Sequence, residues 1–505
     1  MPSRTTKDCA WLVLAVAGTR YLFRTESPYL LDSINFILGV NEFDPARDQP
    51  HPPGYYLYIQ AARLLQFVWS DPHTALVALS VIASCGTAVL LYLLALQWFG
   101  PQEARFAGLI FLASPLGWFH GGVALVYIVE MFFSLLVGLL CWRNSETRGS
   151  AVFASAIALG LAAGVRQSSI AFLAPLWLFS LRKAGAVRIA TACGTLAVTL
   201  LAWILPMAAE SGGASQYWTA FAALWNRAVG HDLMAIGSVQ EALLPFVARV
   251  LCILAVYVLI FGAVALLPIA RPLPARFDAS KRVFAMVWIM PGLLFFALVF
   301  MRLINGGYLL VLVPPILAVI GAQAAEWYNE AGSGLLGKRA AVCGFTLFNL
   351  AAFLFTPTYF SYQFVQTDLR KIGGFDQAMR RGVSPATSLI VSFDDHRFGW
   401  RHAGYYLPEF TSIEWPERTS GQDVQIRAMS HGQSEILHAL DAGSFQQIVF
   451  YPPQANGADL VEVISGGKPL PPGSIQIKKV GDYELVICSA DMLYRLFPRG
   501  ARRAE

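Results

Sequence analysis

Apolar runs long enough to cross a lipid bilayer recur along this chain, and they constrain its fold before any single motif is read. They lie near 9–23, 74–97, 105–119, 121–141, 151–165, 168–181, 189–209, 243–268, 283–302, 308–323 and 340–357, about eleven in all. A hydrocarbon core roughly 30 Å thick takes about 17 to 25 helical residues to span. Composition agrees: of 505 residues, 56% are hydrophobic and 14% charged, whereas a soluble domain carries about a quarter charged residues. A soluble enzyme of this composition would expose more apolar surface than monomers tolerate, and a disordered chain needs the opposite balance. The reading is a polytopic α-helical membrane protein of about eleven transmembrane helices. The net charge of +5 is small for the length and points to no nucleic-acid partner.

In a membrane protein the placement of Lys and Arg counts for more than their sum. With Arg4 and Lys7 in the cytoplasm, the same side receives Arg105, Arg143, Arg148, Arg182, Lys183 and Arg188, then Arg271, Arg276, Lys281, Arg282, Lys338 and Arg339. The opposite loops, 24–52 and 210–240, hold Arg24, Arg47 and Arg227 beside seven carboxylates. This asymmetry predicts a multi-pass protein of the cytoplasmic (inner) membrane, its N-terminus inside and everything after 357 outside. The first run follows basic residues, as a signal peptide does, but no small-residue cleavage site comes after it, so it reads as an uncleaved span. Of seven cysteines, Cys488 is the one beyond the spans, which excludes an internal disulfide outside the membrane.

The chain thus divides into a membrane part, 1–357, with a first external loop over 24–73, and a polar part, 358–505. The latter carries alternating runs, "SLIVSF" (388–393), "FQQIVFYPP" (445–453) and "DYELVICS" (482–489), with helical stretches expected at 368–381 and 433–441. That pattern predicts an extracytoplasmic α/β domain. Its stretch 393–410, "FDDHRFGWRHAGYYLPEF", is rich in aromatic and charged residues suited to sugar or acceptor contact.

Chemistry has to be sought in exposed or costly polar groups, because a helical bundle is only a host. The first external loop is the densest such place, with Glu26, Asp32, Glu42, Asp44, Asp48 and His51. Asp32 heads a stretch of helical spacing, and residues 54–68 form a second, amphipathic one suited to the interface. Between them stands His51-Pro52-Pro53-Gly54, whose prolines restrict the chain and can start the next helix. Glu130 lies within the apolar "YIVEMFF" and Arg166-Gln167 interrupts the apolar run 151–181. An ionisable group at a helix centre costs about 2.5 to 3.5 kcal/mol, so each needs a partner or a cavity. Arg166 suits a phosphate or a pin between helices. Arg302 and Tyr308, in "MRLINGGYLLVLVPP" (301–315), are further phosphate candidates. Asp44 and Asp48, with Asp32 and His51, are candidate ligands for substrate or a divalent metal, although no spacing demands a metal.

Taken in order, Asp32, "QPHPPGYYLYI" (49–59), "GLIFLASPLGWFHGGVALVYIVEMFFSLL" (108–136) and "GLAAGVRQSS" (160–169) resemble the GT-C superfamily of integral-membrane glycosyltransferases. The resemblance covers about residues 5 to 325 and leans toward the bacterial branch related to protein O-mannosyltransferases and lipid A aminoarabinose transferases. It implies a sugar donor linked to polyprenyl phosphate, a glycan, lipid or protein acceptor, and inversion at the sugar. It assigns Asp32 as general base on the acceptor hydroxyl and Glu130 as a second acid. Many members carry paired acids at the first position; here the pair is Asp32-Ser33, so one acid works alone or a distant one helps. A flippase or exporter of lipid-linked sugars is the alternative, although transporters typically show internal repeats and none is visible. A partner-binding membrane scaffold would leave the proline-fixed loop unexplained.

Overall fold

A computed structural model describes residues 3–147, 151–226, 243–298, 303–330, 334–392, 397–414, 445–453 and 473–489. By compactness the chain forms two units: Met1–Pro28 with Asn35–Val365, and Tyr29–Ile34 with Gln366–Glu505. The second unit therefore takes in six residues from the first loop.

The first unit begins with α1 (Arg4–Leu22), α2 (Leu31–Asn41) and α3 (Tyr56–Leu65), α2 reaching it from the second unit. It continues with α4 (Pro72–Trp98), α5 (Pro101–Leu112), α6 (Pro115–Gly121), α7 (Tyr127–Thr147), α8 (Val152–Val165), α9 (Ser168–Ser180), α10 (Ala186–Glu210) and α11 (Ala214–Trp225). Helices Leu243–Phe261, Ala279–Leu298, Val313–Glu330 and Leu335–Phe355 follow. Among the described residues, five helices are long and apolar enough to cross a membrane: Pro72–Trp98, Tyr127–Glu146, Ala186–Glu210, Ala279–Phe296 and Leu335–Phe355. Val152–Val165, Ser168–Ser180 and Val250–Ala265 are apolar but shorter.

Local chemistry explains the breaks. The Asp71 carboxylate accepts the Thr74 N–H at 2.8 Å and starts α4 at Pro72, satisfying one of the orphan donors of a helix start. The run 105–119 is two helices, because the Ser114 hydroxyl caps α6 at Gly117 and Pro115 occupies its first position. The end of α5 is closed by Arg20 of α1, which donates to the carbonyls of Phe111 (3.1 Å) and Leu112 (2.8 Å). Close approaches use small residues: a methyl on Gly321 would lie 2.7 Å from Ala107 of α5.

In the second unit the described strands are β1 (Ser388–Ser392), β2 (Thr411–Glu414), β3 (Gln447–Tyr451), β4 (Ile475–Val480) and β5 (Tyr483–Ser489), in the order β2-β1-β3-β5-β4. Strand β1 runs parallel to β2 and β3, with Ile390 opposite Val449, and β5 is antiparallel to β3 and β4. All five residues of β1 are buried, as expected of a central parallel strand covered on both faces. The edge strand β4 exposes Lys478 and Lys479, a common way to keep an edge from pairing further. Helix Tyr362–Gly382 contributes Phe375, Ala378 and Met379 to a core with Ile390, Val449, Leu485 and Ile487.

Candidate functional site

Among the described residues of the first unit, one ion pair is buried completely. Glu130 stands in the first turn of α7, and Arg166 ends α8, its own backbone extended. Arg166 Nη1 donates to Glu130 Oε2 at 2.6 Å, with side chains 3% and 1% exposed. The Ser169 hydroxyl donates to the other oxygen, Glu130 Oε1, at 2.9 Å. Tyr308 and Tyr127 cover the guanidinium at 3.7 and 4.9 Å from their ring centres. Gly307 makes room for Tyr127, because a methyl there would strike the ring. A guanidinium has five donors. Glu130 takes one of them, and among the described residues no other group accepts from the Arg166 guanidinium. The arrangement is a fixed cation with donors to spare in an apolar surround, which suits a phosphate oxygen.

The extended backbone at Arg166 also explains why the apolar run 151–181 is two helices, with the Arg166 N–H bound to Ala162 O and its carbonyl receiving Ser169 N–H. The next residue ties this break to the proline loop: Gln167 Nε2 donates to Pro53 O at 2.8 Å, and the Tyr217 hydroxyl donates to the same carbonyl at 2.9 Å. Gly54 (φ 106°) and Tyr55 (φ 49°) both adopt left-handed backbone and turn the chain into α3. His51 Nε2 shares a hydrogen bond of 3.1 Å with Tyr55 Oη and packs by Phe36. The structure thus brings Glu130, Arg166, Tyr308 and the His51 loop into one neighbourhood.

The other sequence candidates are placed differently. Asp44 accepts the Ala46 N–H at 3.0 Å and meets Arg47 at 3.5 Å, while Asp48 closes the same turn in left-handed conformation. These are local turn contacts. Among the described residues no group of three or more His, Cys, Asp or Glu comes together to hold a metal ion. Arg302, residues 393–396 and the predicted helix 433–441 lie outside the described residues. Asp32 occupies the first turn of α2 within the second unit. There Tyr29, three residues before it, meets Asp368 and His402.

Three members escaped sequence reasoning. Ser169 and Tyr127 are ordinary helix residues until the fold sets them on Glu130 and Arg166. His120, buried in α6, has neither ring nitrogen paired and lies edge-on to Tyr127 at 5.1 Å. Its sequence signal was a lone imidazole inside the apolar "GWFHGG".

Neither a family model nor a curated protein sequence matches the chain. Solved structures do. ArnT from Cupriavidus metallidurans in the apo state superposes with a TM-score of 0.57 at 12% identity, over 95% of this chain and 98% of its own. The same protein bound to undecaprenyl phosphate matches with the same score and identity over 97% and 98%. The archaeal oligosaccharyltransferase AglB from Archaeoglobus fulgidus, in complex with an inhibitory peptide and a dolichol-phosphate, gives 0.48 at 12% identity over 92% and 71%. The chain therefore shares the fold of the ArnT structures. That architecture matches this chain almost end to end.

Proposed function

We propose that the chain is a membrane glycosyltransferase that moves a hexose or pentose from a polyprenyl-phosphate carrier to a hydroxyl of a glycan, lipid or protein acceptor outside the cytoplasmic membrane. The observation that carries this reading is Arg166, buried, locked by Glu130 and roofed by Tyr308, with donors left over. One of the neighbours sharing the fold is a complex with undecaprenyl phosphate.

On this reading Arg166 binds the donor phosphate, and the growing negative charge on the leaving phosphate is met by donors already aimed at it. Glu130 and Tyr308 hold the guanidinium in register, and His51, set by the proline loop, adds a donor. Asp32 accepts the proton of the acceptor hydroxyl as its oxygen forms the new bond to the sugar carbon and the carbon–phosphate-oxygen bond breaks. Attack opposite the leaving phosphate inverts the centre. A hydroxyl is a poor nucleophile until a positioned base takes its proton.

The test is Asp32→Asn, isosteric and without a base, in purified full-length protein with a radiolabelled polyprenyl-phosphate sugar. Transfer is expected to fall by roughly 10²- to 10⁴-fold with donor binding retained. A correctly folded variant transferring at the wild-type rate would remove Asp32 from the reaction.

A further inference from the structure

By compactness the six residues Tyr29–Ile34 group with the α/β unit. Their anchor is Tyr29, itself buried. Its hydroxyl donates to Asp368 Oδ2 at 3.4 Å, and its backbone carbonyl lies 3.1 Å from His402 Nε2. A carbonyl oxygen only accepts, so Nε2 of His402 carries the proton in this contact. Asp368 is buried in helix Tyr362–Gly382 and held by Arg397 Nη1 at 2.7 Å and by Lys371 Nζ at 3.7 Å. His402 is buried in helix Trp400–Tyr406. Both sides of Tyr29 are therefore fastened to groups that are fastened themselves. The next carbonyl, Leu30 O, receives the N–H of Ser33 (2.9 Å) and of Ile34 (3.3 Å) and starts the turn on which Asp32 stands.

We infer that Tyr29, Asp368 and His402 are positioning residues: the carboxy-terminal unit grips the start of α2 and thereby sets where the Asp32 carboxylate points. The inference rests on the reading of Asp32 as the base. Geometry makes the dependence steep, because a displacement of about 1 Å at a reacting group costs about 10²-fold in rate. A carboxylate three residues past its anchor moves with it. A domain that served only to admit the acceptor would need no buried grip on this segment.

The experiment uses full-length protein in lipid nanodiscs, with Tyr29→Phe, His402→Phe and His402→Gln, and two readouts. Hydrogen exchange of the peptide covering 27–36 is expected to quicken about tenfold in Tyr29→Phe and His402→Phe, with exchange in β1 and β3 unchanged. His402→Gln, which keeps an N–H donor, is expected to restore protection. In the transfer assay kcat is expected to fall about tenfold or more, with KM for the lipid-linked sugar unchanged and recovery in His402→Gln. Tyr29→Phe removes a single oxygen and keeps the test valid should the histidine variants misfold. Unchanged exchange in a folded Tyr29→Phe protein would overturn the grip. Full kcat in that protein, while Asp32→Asn is inactive, would overturn positioning alone. A fully active Asp32→Asn would instead overturn the base, and the exchange measurement would still decide the grip.

Discussion

Arg166 and Glu130 are 36 residues apart, and only the fold makes them partners. From sequence each was a costly charge in an apolar run, which is enough to say that something must compensate it. Which group does so depends on helices α7 and α8 packing side by side, and no local pattern encodes that. Removing one partner of a buried pair leaves an uncompensated charge and costs roughly 3 to 5 kcal/mol. Glu130→Gln should therefore lower thermal stability sharply, and the double variant Glu130→Gln/Arg166→Met should recover much of it. Transfer should stay lost in both. A double variant regaining activity along with stability would make the pair a structural pin, the other role the sequence allows Arg166.

Among the elements, long uninterrupted runs were legible and interrupted ones were not. The expected span 74–97 is realised as Pro72–Trp98 and 189–209 as Ala186–Glu210. The run 105–119 broke where a Ser-Pro start signal outweighed continuous apolarity. The strands 388–393, 445–453 and 482–489 were visible from alternation, whereas β2 is four residues long and β4 is a polar edge, each too weak a pattern to read. Helix Tyr362–Gly382 carries a titration of its own. Asp376 lies on its buried face, and loss of hydration pushes its carboxyl up to about 7, with Arg380 opposing and Glu409 reinforcing the shift. The folded value exceeds the ordinary 3.8, so the folded chain keeps a proton that the unfolded chain has released. Stability is fully present below about 4 and is lost as pH rises toward 7. Asp376→Asn should flatten this slope. The measurement is the melting temperature of variant and wild type from pH 4.5 to 8: equal at the acid end, with the variant several degrees higher at pH 8. A constant difference across the range would exclude the carboxyl as the cause.

Across the whole molecule, hydropathy sufficed for the class, and the motif order sufficed for a fold that the ArnT structures share. The candidate site was legible in part: Glu130, Arg166 and the His51 loop stood out as charge or proline in the wrong surroundings, while Ser169 and Tyr127 look ordinary in sequence. The one-sided basic clusters predict an orientation, and with it a reporter result. Alkaline phosphatase fused after residue 357 should be active and β-galactosidase at the same point inactive. The reverse outcome would put Asp32 and its loop on the cytoplasmic face.

The grip on Tyr29 also sets a timetable for biosynthesis. Its two partners lie 339 and 373 residues downstream. At about 5 to 20 residues per second, the ribosome delivers the start of α2 tens of seconds before anything exists to hold it. Until then the nascent bundle carries its carboxylate on an untethered turn, and a polypeptide released early never acquires the tether. The first loop thus gains this tether only once the second unit has been made.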